Sequence, residues 1–126
     1  MSEENVEFGF EKLRVWRQAV DFAGLIYRLT KLFPRDEIFG LTSQLRRASV
    51  SIAANIAEGS SRSSGKDRAR FFEIAYGSLN EVVTILHIAA EQGLVDGERL
   101  HHLKSDASDI CKMLSGLKRS AVAAGG

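Results

Sequence analysis

Residues 48–57 read ASVSIAANIA and contain no charged side chain. A helix of this length makes almost three turns. A helix that packs against a single core needs one apolar stripe that faces the core and a polar face that is exposed to solvent. Here a second apolar stripe lies beside Ile52 and Ile56, and it consists of Val50, Ala53 and Ala57. We interpret this second stripe as a contact between subunits of a homo-oligomer. The alternative is a broad core stripe in which alanines fill space.

Apolar residues recur every three or four positions on both sides of this stretch, and the chain has a single proline, Pro34. This pattern predicts an all-α protein with one domain over residues 1–126. We expect helices at residues 11–33, 38–61, 66–92 and 97–120. Short loops between long helices favour an antiparallel up-down-up-down four-helix bundle. The expected helix caps are Asp36, Ser64 and Asp96 at N-termini and Gly93 at a C-terminus.

The composition excludes several classes of protein. The 126 residues carry 17 Lys and Arg against 16 Asp and Glu, so the chain is neither a polycation nor an acidic tail. Cys111 is the single cysteine, which rules out an internal disulfide and a cysteine-based zinc site. The sequence has no run of 18 apolar residues, and its first residues, MSEENVEFGF, are acidic. These features predict a cytoplasmic protein without a membrane segment.

Motifs that carry chemistry are missing from the sequence. It has no phosphate-binding G-x-x-x-x-G-K-[ST], no dinucleotide-binding G-x-G-x-x-G, no H-E-x-x-H and no G-x-S-x-G. We expect Cys111 to be a packed thiol and His101 and His102 to face solvent. The sequence therefore predicts no catalytic residue, no metal site, no cofactor and no enzymatic activity.

Six polar side chains interrupt the apolar region, and they are Gln44, Ser51, Asn55, Glu58, Asn80 and Glu81. The candidates for a polar network are Gln44, Asn55, Glu58 and Glu81. If they are buried they need partners, because an unpaired buried amide costs about 1–3 kcal/mol and a carboxylate costs more. We interpret them as a polar network between helices that fixes their register. The alternative is an acid–base or metal site. The ferritin-like di-iron pattern requires Glu-x-x-His pairs, however, and the sequence contains none.

Positive charge is concentrated in one part of the chain. Residues 40–70 hold six basic and two acidic residues, a net charge of +4. The basic residues are Arg46, Arg47, Arg62, Lys66, Arg68 and Arg70. Arginine is suited to bidentate phosphate contacts, so this segment is our candidate for binding the backbone of RNA or DNA. The alternative is an ordinary solvated surface with ion pairs. The Ser- and Gly-rich residues 59–65 favour a connector over a phosphate cradle.

Residues 44–81, QLRRASVSIAANIAEGSSRSSGKDRARFFEIAYGSLNE, resemble the core of a bacterial protein family. These are the four-helix-bundle proteins encoded by intervening sequences within 23S ribosomal RNA genes. The upstream stretch FEKLRVWRQAVDFA is also similar, and the resemblance covers roughly residues 10–117. The blocks NIAEG at 55–59 and GSLNE at 77–81 are its most specific parts.

That family is similar in fold to the accessory variability protein of diversity-generating retroelements. This relative forms a pentameric ring of four-helix bundles and binds nucleic acid and its reverse transcriptase. The resemblance therefore implies a homopentamer, a nucleic-acid partner and a protein partner such as a reverse transcriptase. It implies no enzymatic activity. Two functions remain open at this point: a nucleic-acid-binding scaffold, and a protein–protein interaction module that binds no nucleic acid.

Overall fold

A computed structural model describes residues 5–126. Residues 1–4 belong to the predicted domain and the acidic N-terminal stretch, and they lie outside the described residues. The described chain is all-helical and contains no strand, which confirms the prediction of an all-α protein. Its four α-helices are α1 (Arg14–Thr30), α2 (Leu41–Ser60), α3 (Gly65–Glu91) and α4 (Gly97–Ala124).

The first helix is shorter at both ends than the predicted range of 11–33. Before it, Gly9–Lys12 form a short 3-10 helix, at which the Glu11 carboxylate accepts the Phe8 N–H at 2.8 Å. At its end, the Thr30 hydroxyl donates to the Ile26 carbonyl at 2.8 Å. The helix ends at Thr30, four residues before Pro34. The proline ring disfavours helical backbone at the residue before it, so the helix cannot continue through this position.

Three of the four expected caps are present. The Ser64 side chain accepts the Asp67 N–H at 3.0 Å, and the Asp96 side chain accepts the Arg99 N–H at 2.8 Å. Gly93 has a φ of +76°, which is the left-handed conformation of a helix C-terminus. The Asp36 prediction is wrong. A 3-10 turn over Arg35–Glu37 places Glu37 nearer to α2, and its carboxylate accepts the Leu41 N–H at 3.1 Å.

Contacts between helices place three chain segments at one end of the molecule. Gly59, near the end of α2, lies against Phe71 and Phe72, near the start of α3. A Cβ at Gly59 would be 2.8 Å from Phe72 Cε1, so this approach requires glycine. The Gly65 N–H donates to the Gly125 carbonyl at 2.8 Å, which holds the end of α4 against the start of α3. The α2–α3 loop is therefore flanked by the end of α4.

Buried apolar residues of α3 lie in two adjacent rows along the helix, and both rows enter the core. One row supplies Ala75, Val82, Ile85 and Ala89, and the other supplies Phe72, Leu79 and Leu86. They pack with Ile52 and Ile56 of the charge-free stretch. Many of the apolar side chains of α3 are therefore buried within a single chain and do not require a second subunit to cover them. Across residues 5–126, none of the helices combines the length and apolar character that crossing a bilayer requires.

Candidate nucleic-acid interface

Two arginines at the α2–α3 loop share one aromatic ring. The guanidinium carbon of Arg62 lies 4.6 Å from the ring centroid of Phe71, and that of Arg70 lies 4.8 Å from the same centroid. These are cation–π distances, at which the ring attracts each cation by about 0.5–1 kcal/mol at an exposed site. Phe71 therefore restrains two cationic side chains, one from the loop and one from α3.

A third arginine stabilises the loop itself. Arg68 Nη1 donates to the carbonyl oxygens of Arg62 and Ser63, each at 3.2 Å. These hydrogen bonds connect the first turn of α3 to the loop before it. The neighbouring Lys66 is exposed. We call Arg62, Lys66, Arg68 and Arg70 the loop cluster.

Carboxylates neutralise part of the loop cluster. Arg62 Nη2 contacts Glu58 Oε2 at 2.5 Å, and Arg70 Nε lies 3.9 Å from Asp67 Oδ1. Four cations against these two anions leave a net charge of +2. Both ion pairs are solvent-exposed, and such pairs typically contribute about 0–1 kcal/mol. The guanidinium groups therefore remain available to an anion that offers a better geometry.

The end of α4 brings two further cations to this side of the molecule. Lys118 forms an ion pair with Glu73 on α3, and Arg119 is exposed in the same helical turn. Our sequence interpretation did not include these two residues, although it placed both in the last turn of the fourth helix. The missing information was that this turn lies beside the start of α3.

The other two predicted binding residues do not join the loop cluster. Arg46 Nε donates to Thr30 Oγ1 at 2.8 Å, and its guanidinium carbon lies 4.6 Å from the ring centroid of Tyr27. The half-buried Arg46 therefore connects α2 to α1. Arg47 is exposed and lines a separate cleft of about 230 Å³ between α2 and α3.

The polar contact between α2 and α3 is carried by serines. The Ser51 and Ser78 hydroxyls are hydrogen-bonded at 2.8 Å, and Asn55 Nδ2 donates to the Ser51 hydroxyl at 3.0 Å. Asn55 thus bonds within α2, and the Ser51 hydroxyl connects it to α3. Glu58 and Glu81 are exposed. Water can therefore solvate their carboxylates, and they do not need a partner within the protein. Gln44 and Glu81 line the cleft that contains Arg47.

The residues of the predicted subunit contact differ in exposure. Val50 is 46% exposed, which leaves an apolar side chain on the outer face of α2. Ala53 and Ala57 are half-buried, and Ala53 packs against the core of its own chain. The neighbouring Ala54 is exposed and adds to the small-residue surface around Val50.

The side chains with potential chemistry include two neighbouring histidines, whose ring centroids are 6.0 Å apart. His101 and His102 are exposed on the first part of α4, and Cys111 is half-buried against the core. Within residues 5–126, no three His, Cys, Asp or Glu side chains are grouped as a metal ion would need.

Four helices around one core, with an arginine-bearing loop at one end, define a small helical-bundle protein. The model of the 23S rRNA-intervening sequence protein family matches residues 11–116, and the chain belongs to that family. It is similar to the crystal structure of a protein of unknown function from the S23 ribosomal protein family of Bacteroides thetaiotaomicron, with 27% sequence identity and a TM-score of 0.76. The similarity covers 82% of this chain and 97% of that one. No curated protein matches the chain.

Proposed function

We propose that this protein is a non-enzymatic, homo-oligomeric scaffold of the cytoplasm that binds RNA or DNA through backbone phosphates. The observation that carries the proposal is the arrangement of the loop cluster. Phe71 holds Arg62 and Arg70 side by side, while Arg68 fixes the loop between them. Because these side chains are already restrained, they lose less conformational entropy when they bind phosphate.

The same geometry favours backbone contacts over base recognition. Two guanidinium groups lie against Phe71, so little of that ring remains for a stacked base. The available hydrogen-bond donors are cationic side chains. Such side chains bind backbone phosphates, and they recognise bases only where a helix or strand enters a groove of the nucleic acid. We therefore expect similar affinities for unrelated sequences of equal length and strandedness.

Assembly would multiply this surface. We propose that the helices alternate in direction, because late residues of α2 meet early residues of α3 and early residues of α3 meet the end of α4. We also propose a ring, and the family resemblance favours five copies. The exposed apolar surface around Val50 supports a subunit contact on α2. In a ring, every copy would present its loop cluster at the same rim and strengthen the local positive field.

A second candidate function is a protein–protein interaction module that binds no nucleic acid. Exposed apolar side chains between α1 and α2 favour it: Phe39 is 93% exposed and Ile38 is also exposed. The two functions respond differently to ionic strength. Phosphate contacts weaken steeply as salt rises, whereas an apolar contact changes little.

The test compares two variants that lose the same charge. The loop variant replaces the four residues of the loop cluster with alanine. The control replaces four exposed cations elsewhere, namely Lys31, Arg35, Lys104 and Lys112. Fluorescence anisotropy with labelled RNA and DNA at low salt should show strong loss of affinity only for the loop variant. Equal losses would show that binding follows net charge alone, and absence of binding by the unmutated protein would contradict the proposal.

A further inference from the structure

Two adjacent cavities that share lining residues form a groove between α1 and α4. One has a volume of about 330 Å³ and the other about 200 Å³, and both are lined by Leu25 and Asp106. On α1 the groove extends from Gln18 to Leu29, about 16 Å along the helix axis, and it continues to Leu32. Among neighbouring helices, α1 and α4 have the least extensive packing, which leaves this groove open.

Leucine side chains form one wall of the groove: Leu25 and Leu29 lie on α1, and Leu32 lies in the turn just after it. Leu25, Leu29 and Leu32 are spaced four and three residues apart, and Leu103 faces them from α4. Leu25 is 37% exposed and Leu32 is 66% exposed. Apolar side chains with this spacing form the ridge against which an additional amphipathic helix packs. The bundle therefore has an apolar groove between α1 and α4 that no other part of the described chain covers.

Charges are separated along the groove. Arg28 and Arg99 line the end near Leu32, and Asp21 and Asp109 line the opposite end, with Asp106 between them. Asp21 pairs with Arg17 at 3.4 Å and Arg99 with Asp96 at 4.0 Å, and both pairs are exposed and weak. Among residues 5–126, Arg28 and Asp109 form no ion pair. A ligand that complements the groove needs anionic groups at one end, cationic groups at the other and an apolar stripe between them. A small amphiphile with one charged head satisfies only one end.

We propose that the α1–α4 groove binds an amphipathic helix of a partner protein. The helix has about three turns, leucine-like side chains at i, i+4 and i+7, carboxylates near Arg28 and Arg99, and ammonium groups near Asp21 and Asp109. This site lies between different helices from the loop cluster, so it does not depend on nucleic-acid binding.

The probe is a synthetic helical peptide with leucines at this spacing, glutamates at one end and lysines at the other. A neutral version carries glutamine at the charged positions. Binding is measured by fluorescence anisotropy to the full chain. Leu32→Glu changes an exposed side chain in the groove, and Ile88→Glu, at a 45% exposed position on α3, is the matched control.

We expect Leu32→Glu to weaken peptide binding by at least about tenfold, as is typical for loss of an apolar anchor. Ile88→Glu should leave affinity unchanged, and Arg28→Glu should weaken the charged peptide more than the neutral one. Equal binding by Leu32→Glu and the unmutated protein would overturn the proposal, as would the failure of the unmutated protein to bind. If the peptide does not bind and Leu32→Glu instead lowers the oligomer mass, the occupant is a second copy and the proposal is wrong.

Discussion

The guanidinium of Arg62 lies 4.6 Å from the centroid of the Phe71 ring. Arg70 lies 4.8 Å from the same centroid, so one half-buried phenylalanine restrains two cations, one in the α2–α3 loop and one on α3. This relationship connects the packing of the bundle to its proposed binding surface. A change at Phe71 should therefore alter binding without removing any positive charge.

Phe71→Leu tests this connection. Leucine keeps an apolar side chain at the position but lacks the aromatic face, so Arg62 and Arg70 lose their common support. We expect nucleic-acid affinity to fall by about 2- to 5-fold, the equivalent of about 0.5–1 kcal/mol of lost pre-organisation of the two arginines. Anisotropy at low salt measures the affinity, and circular dichroism verifies that the helix content is retained. Unchanged affinity would show that the ring does not contribute to binding.

Two glycines should respond in opposite directions to alanine. At Gly59 a Cβ would lie 2.8 Å from Phe72 Cε1 and 2.9 Å from Phe71 Cβ, so Gly59→Ala should destabilise the protein by about 1–3 kcal/mol. At Gly77, in the middle of α3, a Cβ would meet nothing within 4 Å. Gly77→Ala should therefore stabilise the protein by about 0.5–1 kcal/mol. Urea denaturation measures both, and a stabilised Gly59→Ala variant would refute the close packing of α2 on α3.

The sequence was sufficient to predict the helices but not the neighbours of residues at their boundaries. Ser64, Asp96 and Gly93 act locally, within a few residues, so their capping roles could be read directly from the sequence. Arg46 follows a core residue, Leu45, and its partner Thr30 comes from another helix. No periodicity within α2 reveals that contact.

The role of Phe71 was hidden for a related reason. Its spacing with other apolar residues of α3 predicts a core position, and only the fold shows that one arginine of the loop and one of α3 lie against its ring. Lys118 was missed because its partner Glu73 is 45 residues away in sequence. Such contacts depend on how helices are arranged in space, and single-helix patterns do not contain that information.

Assembly is tested at the exposed position on α2. The unmutated protein should have a mass about five times the chain mass of 13.9 kDa. Val50→Arg places a charge on the proposed contact and should produce smaller species. Val122→Arg, at another exposed valine near the end of α4, is the matched control and should keep the mass unchanged. Light scattering measures each mass, and a stable monomer of the unmutated protein at micromolar concentration would rule out the ring.

The most direct test of the central proposal is the salt dependence of binding to duplex DNA. Each neutralised phosphate contributes about 0.9 to the slope of log affinity against log salt concentration. If all four side chains of the loop cluster contact phosphates, the unmutated protein should have a slope steeper by about 3–4 than the loop variant. The charge-matched control should retain the full slope. Equal slopes for the unmutated protein and the loop variant would contradict phosphate binding by this cluster.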